Sequence, residues 1–177
     1  ANTTLENDTK RKAYIDKVIY GKKDAQELAM EQARKLMEAE AAYKMGVRLL
    51  NAGQIKPAHD KFEAAMNGDV EEPEYRCYWA YTNFLLSIGN DNEKAEEAVE
   101  MVKEAANQSH NPTHVHLLAK AKLRQGDDEF ALELLRRVLR RQRGNEEAMR
   151  EYRECERRIT KAKAPGALSG LFSRFRK

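Results

Sequence analysis

The chain is 177 residues long and 34% charged, yet its formal net charge is only +3. With 4 Pro, 9 Gly and an excess of Ala, Glu, Lys, Leu and Arg, it reads as an almost purely helical protein of one or two compact units. No run reaches the ~20 apolar residues of a membrane span, and the two signs of charge are unevenly spread: residues 136–177 hold 14 Lys/Arg against 5 Asp/Glu, which leaves the preceding residues at −6.

The first element, residues 1–21, is "ANTTLENDTKRKAYIDKVIYG", a basic helical segment without an initiator Met. Leu5, Asn7, Arg11 and Tyr14 stand at the spacing Leu-x-Asp/Asn-x-x-x-Arg-x-x-Tyr. That run resembles the last segment of a J domain, although Ile15 stands where the family has Asp and the acid comes one residue late as Asp16. J domains stimulate a partner ATPase through a His-Pro-Asp tripeptide, which this chain lacks; its nearest lookalike, His110-Asn111-Pro112, has the wrong order. The resemblance therefore implies a fragment from which the catalytic loop is missing and which could not stimulate a chaperone by itself.

From Lys22 to Met45 there is no breaker, so the sequence predicts one long helix of roughly 40 Å at 1.5 Å per residue, running into the next element. Helical periodicity continues from Tyr43 to Leu50, Asn51-Ala52-Gly53 supplies a turn, and a second helix carries Ala58, Phe62 and Ala65 at i, i+4, i+7. Small residues at Gly46 and Ala58 let two antiparallel helices approach, with Phe62 filling the space between them. Ala119, Gly126, Ala131, Leu135 and Val138 repeat the spacings of Gly46, Gly53, Ala58, Phe62 and Ala65 at an offset of 73 residues. One enlarged unit fits between them, with Ala80 as its helix-contact residue. The second helix of that unit admits two registers, Ala95-Val99-Val102 or Ala98-Val102-Ala105; the latter is favoured because it also places Ala95 on the flank of the same face. These patterns resemble the tetratricopeptide repeat (TPR).

A stack of such units needs its ends covered. "NEEAMREYRECERRITKAK" supplies a cap, with Ala148, Tyr152, Cys155 and Ile159 as its apolar stripe and Asn145 as N-cap. Phe62, Leu135, Trp79 and Tyr152 are expected in the core. Residues 165–177, "PGALSGLFSRFRK", follow as a short tail in which Leu168, Leu171, Phe172 and Phe175 fall at helical spacing beside Arg174, Arg176 and Lys177. A basic amphipathic element of this kind suits a membrane surface, a partner groove or nucleic acid.

Chemistry is sparse. There is no Gly-rich phosphate loop, and no cofactor is implied. His110, His114 and His116 form the one His cluster, but Pro112 breaks the i, i+4 geometry a metal site would want, so these histidines are expected to face solvent or line a groove. Cys77, next to Tyr78 and Trp79, reads as a small core residue rather than a nucleophile. Two cysteines far apart in sequence suggest reduced thiols and a cytoplasmic protein. Nothing points to catalysis or metal binding.

The resemblance to TPR domains implies an all-α, right-handed superhelix of about three helix pairs over residues 22–164, with a long N-terminal helix and a C-terminal capping helix. It also implies a concave surface made by the first helix of each pair, used to bind a protein or peptide. Alignment on Gly46, Ala80 and Ala119 assigns its lining to Tyr43, Val47 and Leu50, then Cys77, Tyr81 and Phe84, then His116, Lys120 and Arg124. TPR proteins that clamp the acidic C-terminus of heat-shock chaperones carry Lys and Asn where Tyr43 and Val47 stand, so that clamp is broken. A hydrophobic helix or extended segment fits this lining better. The expected role is a non-catalytic interaction scaffold, in a J-domain co-chaperone or bacterial adaptor. The competing reading is a helical protein that binds nucleic acid or a membrane surface through its basic C-terminal region; the acidic body opposes polyanion binding.

Overall fold

A computed structural model describes residues 8–19, 21, 25–68, 72–109 and 111–163. Within them the chain forms eight helices and no strand: α1 (Asp8–Val18), α2 (Ala25–Asn51), α3 (Ile55–Met66), α4 (Pro73–Ser87), α5 (Asn92–Ser109), α6 (Pro112–Gln125), α7 (Asp128–Arg141) and α8 (Glu146–Lys163).

Local chemistry sets the boundaries. Pro73 and Pro112 open α4 and α6, where their fixed φ helps and the missing N–H costs nothing. The Asn111 side chain accepts from the Thr113 amide at 2.9 Å, and Asn145 accepts from the Ala148 amide at 3.0 Å. Between the helices of the first and third pairs, Gly53 and Gly126 adopt φ of 75° and 81°, a left-handed conformation that a Cβ would strain.

The helices pack as hairpins, α2 with α3, α4 with α5 and α6 with α7; α8 then lies on α7, while α4 bridges to α3 and α6. One continuous core runs from Ala58 and Phe62 through Phe84, Val99 and Leu118 to Leu134, Val138 and Ala148. Each large side chain fully withdrawn from water there contributes about 1.5–3 kcal/mol. Gly46 leaves room for the Phe62 ring within the first hairpin: a Cβ added to it would lie 2.7 Å from that ring. The second hairpin settles the register left open above. Gln54, Asp91 and Asp127 each accept, through the backbone carbonyl, from an Ala amide four residues on, namely Ala58, Ala95 and Ala131. The repeating trio in α5 is therefore Ala95-Val99-Val102, and the favoured Ala98-Val102-Ala105 is corrected. Ala98 and Ala105 are buried as well, on the same helix.

The long helix runs unbroken as α2, but only from Ala39 onward does it bury a residue. Its N-terminal turns leave Leu28, Met30, Leu36 and Met37 exposed. In α1 nothing is buried, and Tyr14 is exposed; Leu5 and Asn7 lie outside the described residues. No described helix is long and apolar enough to cross a membrane.

Candidate functional site: the concave groove

The first helices of the three hairpins and the capping helix enclose an open groove of about 1410 Å³. Its floor is apolar and aromatic, with Val47 and Leu50 from α2, Tyr78, Tyr81 and Leu85 from α4, and Leu117 and Leu123 from α6. The far wall is α8, which contributes Met149 together with Glu147, Arg150, Glu151 and Arg153.

Six of the nine residues assigned from the alignment reach this groove: Val47, Leu50, Tyr81, His116, Lys120 and Arg124. Three do not. Cys77 and Phe84 are fully enclosed in the core, and burial pushes the Cys77 thiol up to about 12. Tyr43 turns inward, with its ring 5.0 Å from Tyr75, 5.4 Å from Tyr78 and 6.0 Å from Phe62. Their periodicity is that of a helix buried between hairpins, and spacing alone does not separate the face toward the groove from the face toward the neighbouring pair. Tyr78, by contrast, was readable only as a core neighbour of Trp79 and yet edges the groove.

The basic end of the groove differs from expectation in a way that α8 explains. Lys120 Nζ donates to Glu147 Oε1 at 2.9 Å, and His116 Nε2 meets Glu151 Oε2 at 2.6 Å. Positions 116 and 120, like 147 and 151, are one helical turn apart, so two parallel bridges tie α8 across to α6. Burial would raise the Glu147 carboxyl, but the Lys120 ammonium outweighs it and holds the group below the usual carboxylate range. Arg124 lies beside the Tyr81 hydroxyl. The Lys120 charge is thus met from within by Glu147, while Arg124, Arg143, Arg150 and Arg153 are among the cations that also line the groove. Glu147 and Glu151, one turn apart on the cap, were the sequence signal for this.

His114 is buried and neither faces solvent nor lines the groove, His116 is buried but lines the groove, and His110 lies outside the described residues. His114 sits between α5 and α6. Ser109 Oγ donates its single hydrogen to the Ala105 carbonyl at 2.9 Å, so the 2.6 Å contact with His114 is donated by Nδ1–H. His114 Nε2, equally buried, has no hydrogen-bond partner among the described residues. Burial holds this imidazole below its ordinary pKa, as the neutral tautomer requires. His59 is similar: its ring stacks on Trp79 at 5.7 Å between centres, and Nδ1 meets Thr82 Oγ1 at 3.2 Å. Trp79 and Tyr152 are half-buried against the core rather than enclosed in it. Tyr152 accepts from Arg136 Nε at 3.2 Å and donates to Glu156 at 2.6 Å.

Among the described residues no group of His, Cys, Asp and Glu is arranged to hold a metal ion. Cys77 and Cys155 are free and buried, and Cys155 Sγ donates to the Asp128 carbonyl at 2.8 Å where α8 meets α7.

A stack of helix hairpins around a concave groove, closed by an extra helix, defines the architecture of TPR domains. Solved structures of that class superpose on this chain. The first TPR domain of Spaghetti (RPAP3), solved bound to the HSP90 peptide SRMEEVD, matches with a TM-score of 0.56 at 20% identity, covering 71% of this chain and 98% of that one. The C-terminal TPR-containing domain of a Plasmodium falciparum protein assigned as FK506-binding matches with a TM-score of 0.53 at 15% identity, covering 75% and 95%. No protein-family model matches the chain, and no curated protein matches it. The fold is TPR-like; nothing in these comparisons supports the J-domain resemblance of the first residues.

Proposed function

We propose that this protein is a non-catalytic interaction scaffold that holds a protein segment in the groove formed by α2, α4, α6 and α8. The observation that carries this reading is the groove itself: a long, open concavity with half-exposed Val47, Leu50, Leu85 and Leu123 on its floor, at the place where the fold class presents its ligands. A TPR neighbour seats an HSP90 peptide, which supports a peptide or helix as the kind of occupant. The lining here favours a segment that buries apolar side chains over one held by its terminal carboxylate, because Val47 offers no polar group and the Lys120 ammonium is already paired with Glu147. A role beside a J-domain chaperone rests on Arg11 and Tyr14 and their neighbours alone. The basic tail residues Leu171, Phe172, Arg174, Phe175, Arg176 and Lys177 lie outside the described residues, and the membrane or nucleic-acid reading rests on them.

Photo-crosslinking locates the occupied surface directly. With p-benzoylphenylalanine at the exposed groove positions Arg124 or Arg150, partners should be captured; at Glu97 on α5, outside the groove, they should not. Leu50→Glu should abolish capture while leaving the helical circular-dichroism spectrum intact. Equal capture from Glu97 would mean that the groove is not the binding surface.

A further inference from the structure

The arginines at and just beyond the end of α7 play no part in the groove's floor. Arg136, Arg137, Arg140, Arg141 and Arg143 fall within eight residues, and all are exposed. Arg140 and Arg141 stand in the last turn, where cations complement the carbonyl end of the helix; Arg136 and Arg137 lie a turn earlier and Arg143 just beyond, and like charges a turn apart oppose each other. Arg136 is accounted for by its contact with Tyr152, its guanidinium 5.7 Å from the ring centre. Arg137, Arg140 and Arg141 instead line a separate depression of about 330 Å³, whose other side is Pro112 and Val115 in the first turn of α6. Arg137 and Arg140 have no ion pair among the described residues.

We infer that this depression is a binding site for a phosphate-monoester dianion carried on a soluble protein partner. A guanidinium presents a rigid fork of donors that matches two oxygens. A carboxylate has only two oxygens and satisfies one such fork, whereas the three terminal oxygens of a phosphoryl group can bridge two or three. The depression is small and lies over the buried Val115 and Val138, so it suits one compact anionic group rather than the track of a nucleic-acid strand. It also adjoins the groove, because Thr113 and Arg143, which flank it in sequence, line the groove's end. A segment leaving the groove could place a phosphorylated side chain there. The anion site stands independently of the proposed scaffold function; its protein-borne source rests on that function.

The test follows the arginine Nε–Hε signals by NMR during titration with inorganic phosphate or acetate at fixed ionic strength. The Arg137 and Arg140 signals should shift saturably with phosphate and not with acetate. O-phosphoserine should bind at least as well, and Arg137→Gln with Arg140→Gln should weaken both by about tenfold or more, as loss of charge-assisted pairs implies. Leu50→Glu, a groove variant, should leave phosphate binding unchanged, which separates this site from the fate of the groove. An equal response to acetate, or unchanged affinity in the double variant, overturns the site. Inorganic phosphate without O-phosphoserine binding, or binding only to phosphatidic-acid vesicles, overturns the protein-borne source.

Discussion

Gly46 and Phe62 act as one packing unit, since the absent side chain at one position is the space occupied by the ring at the other. Phe62→Ala should cost about 3–5 kcal/mol by emptying a fully buried site. Gly46→Ala should cost about 1–3 kcal/mol through overpacking. Chemical denaturation measures both, and a change no larger than a surface substitution at either site would contradict the packing. His114 makes a prediction about pH. Burial depresses its folded pKa below the ordinary 6.5, so the unfolded chain takes up the proton first. Its stabilising contribution is complete above about pH 6.5 and is lost as pH falls below it toward the depressed value. His59 titrates in the same direction. Melting temperatures should therefore drop between pH 7.5 and pH 5, and His114→Gln, though less stable, should show a shallower drop. A slope unchanged in that variant would dissociate His114 from the acid sensitivity.

Among the elements, α5 and α8 show where sequence reading stops. The hairpins were legible because Gly46, Ala58 and Phe62 and their equivalents recur at fixed spacing, and spacing is what helix contacts impose. The register of α5 was not, since Ala95, Ala98, Val99, Val102 and Ala105 offer two compatible stripes and both become buried. What decides between them is the helix start: Asp91 caps α5, its carboxylate accepting from the Lys94 amide at 3.1 Å. The groove's lining was legible for α6 and only in part for α2 and α4: Tyr43 of α2 turns inward, and α4, sandwiched between hairpins, buries Cys77 and Phe84 on faces the repeat pattern does not distinguish. In α8 the cap was readable from its apolar stripe, but its second role as groove wall depends on charges placed by tertiary contact. Ala148 has no exposed surface where α8 joins the core. Ala148→Leu should cost about 1–3 kcal/mol and raise amide exchange in α8 before the hairpins. Glu147→Gln, which breaks only a partly exposed pair, should change stability by less than about 1 kcal/mol. Exchange mass spectrometry resolves the two, and uniform loss of protection across all helices in Ala148→Leu would show that α8 does not open independently.

Across the whole molecule, the charge asymmetry of the sequence maps onto structure. The five carboxylates of the basic C-terminal stretch are all on α8, where Glu147 and Glu151 pair with α6 and Glu154 pairs with Arg157 and Arg158. Arg137 and Arg140 of α7 have no ion pair among the described residues, so an acidic array of hairpins carries one strongly basic end.

Because α8 seals the last hairpin and also walls the groove, occupancy and folding draw on the same contacts. Any molecule that grips α8 against α4 and α6 must raise the free energy of unfolding by RT ln(1 + [L]/Kd), about 2.7 kcal/mol at a hundredfold excess over Kd. By reciprocity, a variant that loosens α8 must weaken that molecule's affinity by the same coupling, even when no contact residue has changed. A search for the natural occupant therefore needs no assay of activity: a library screened by shift in melting temperature should reveal it, and Ala148→Leu should blunt that shift in proportion to how far it frees the helix.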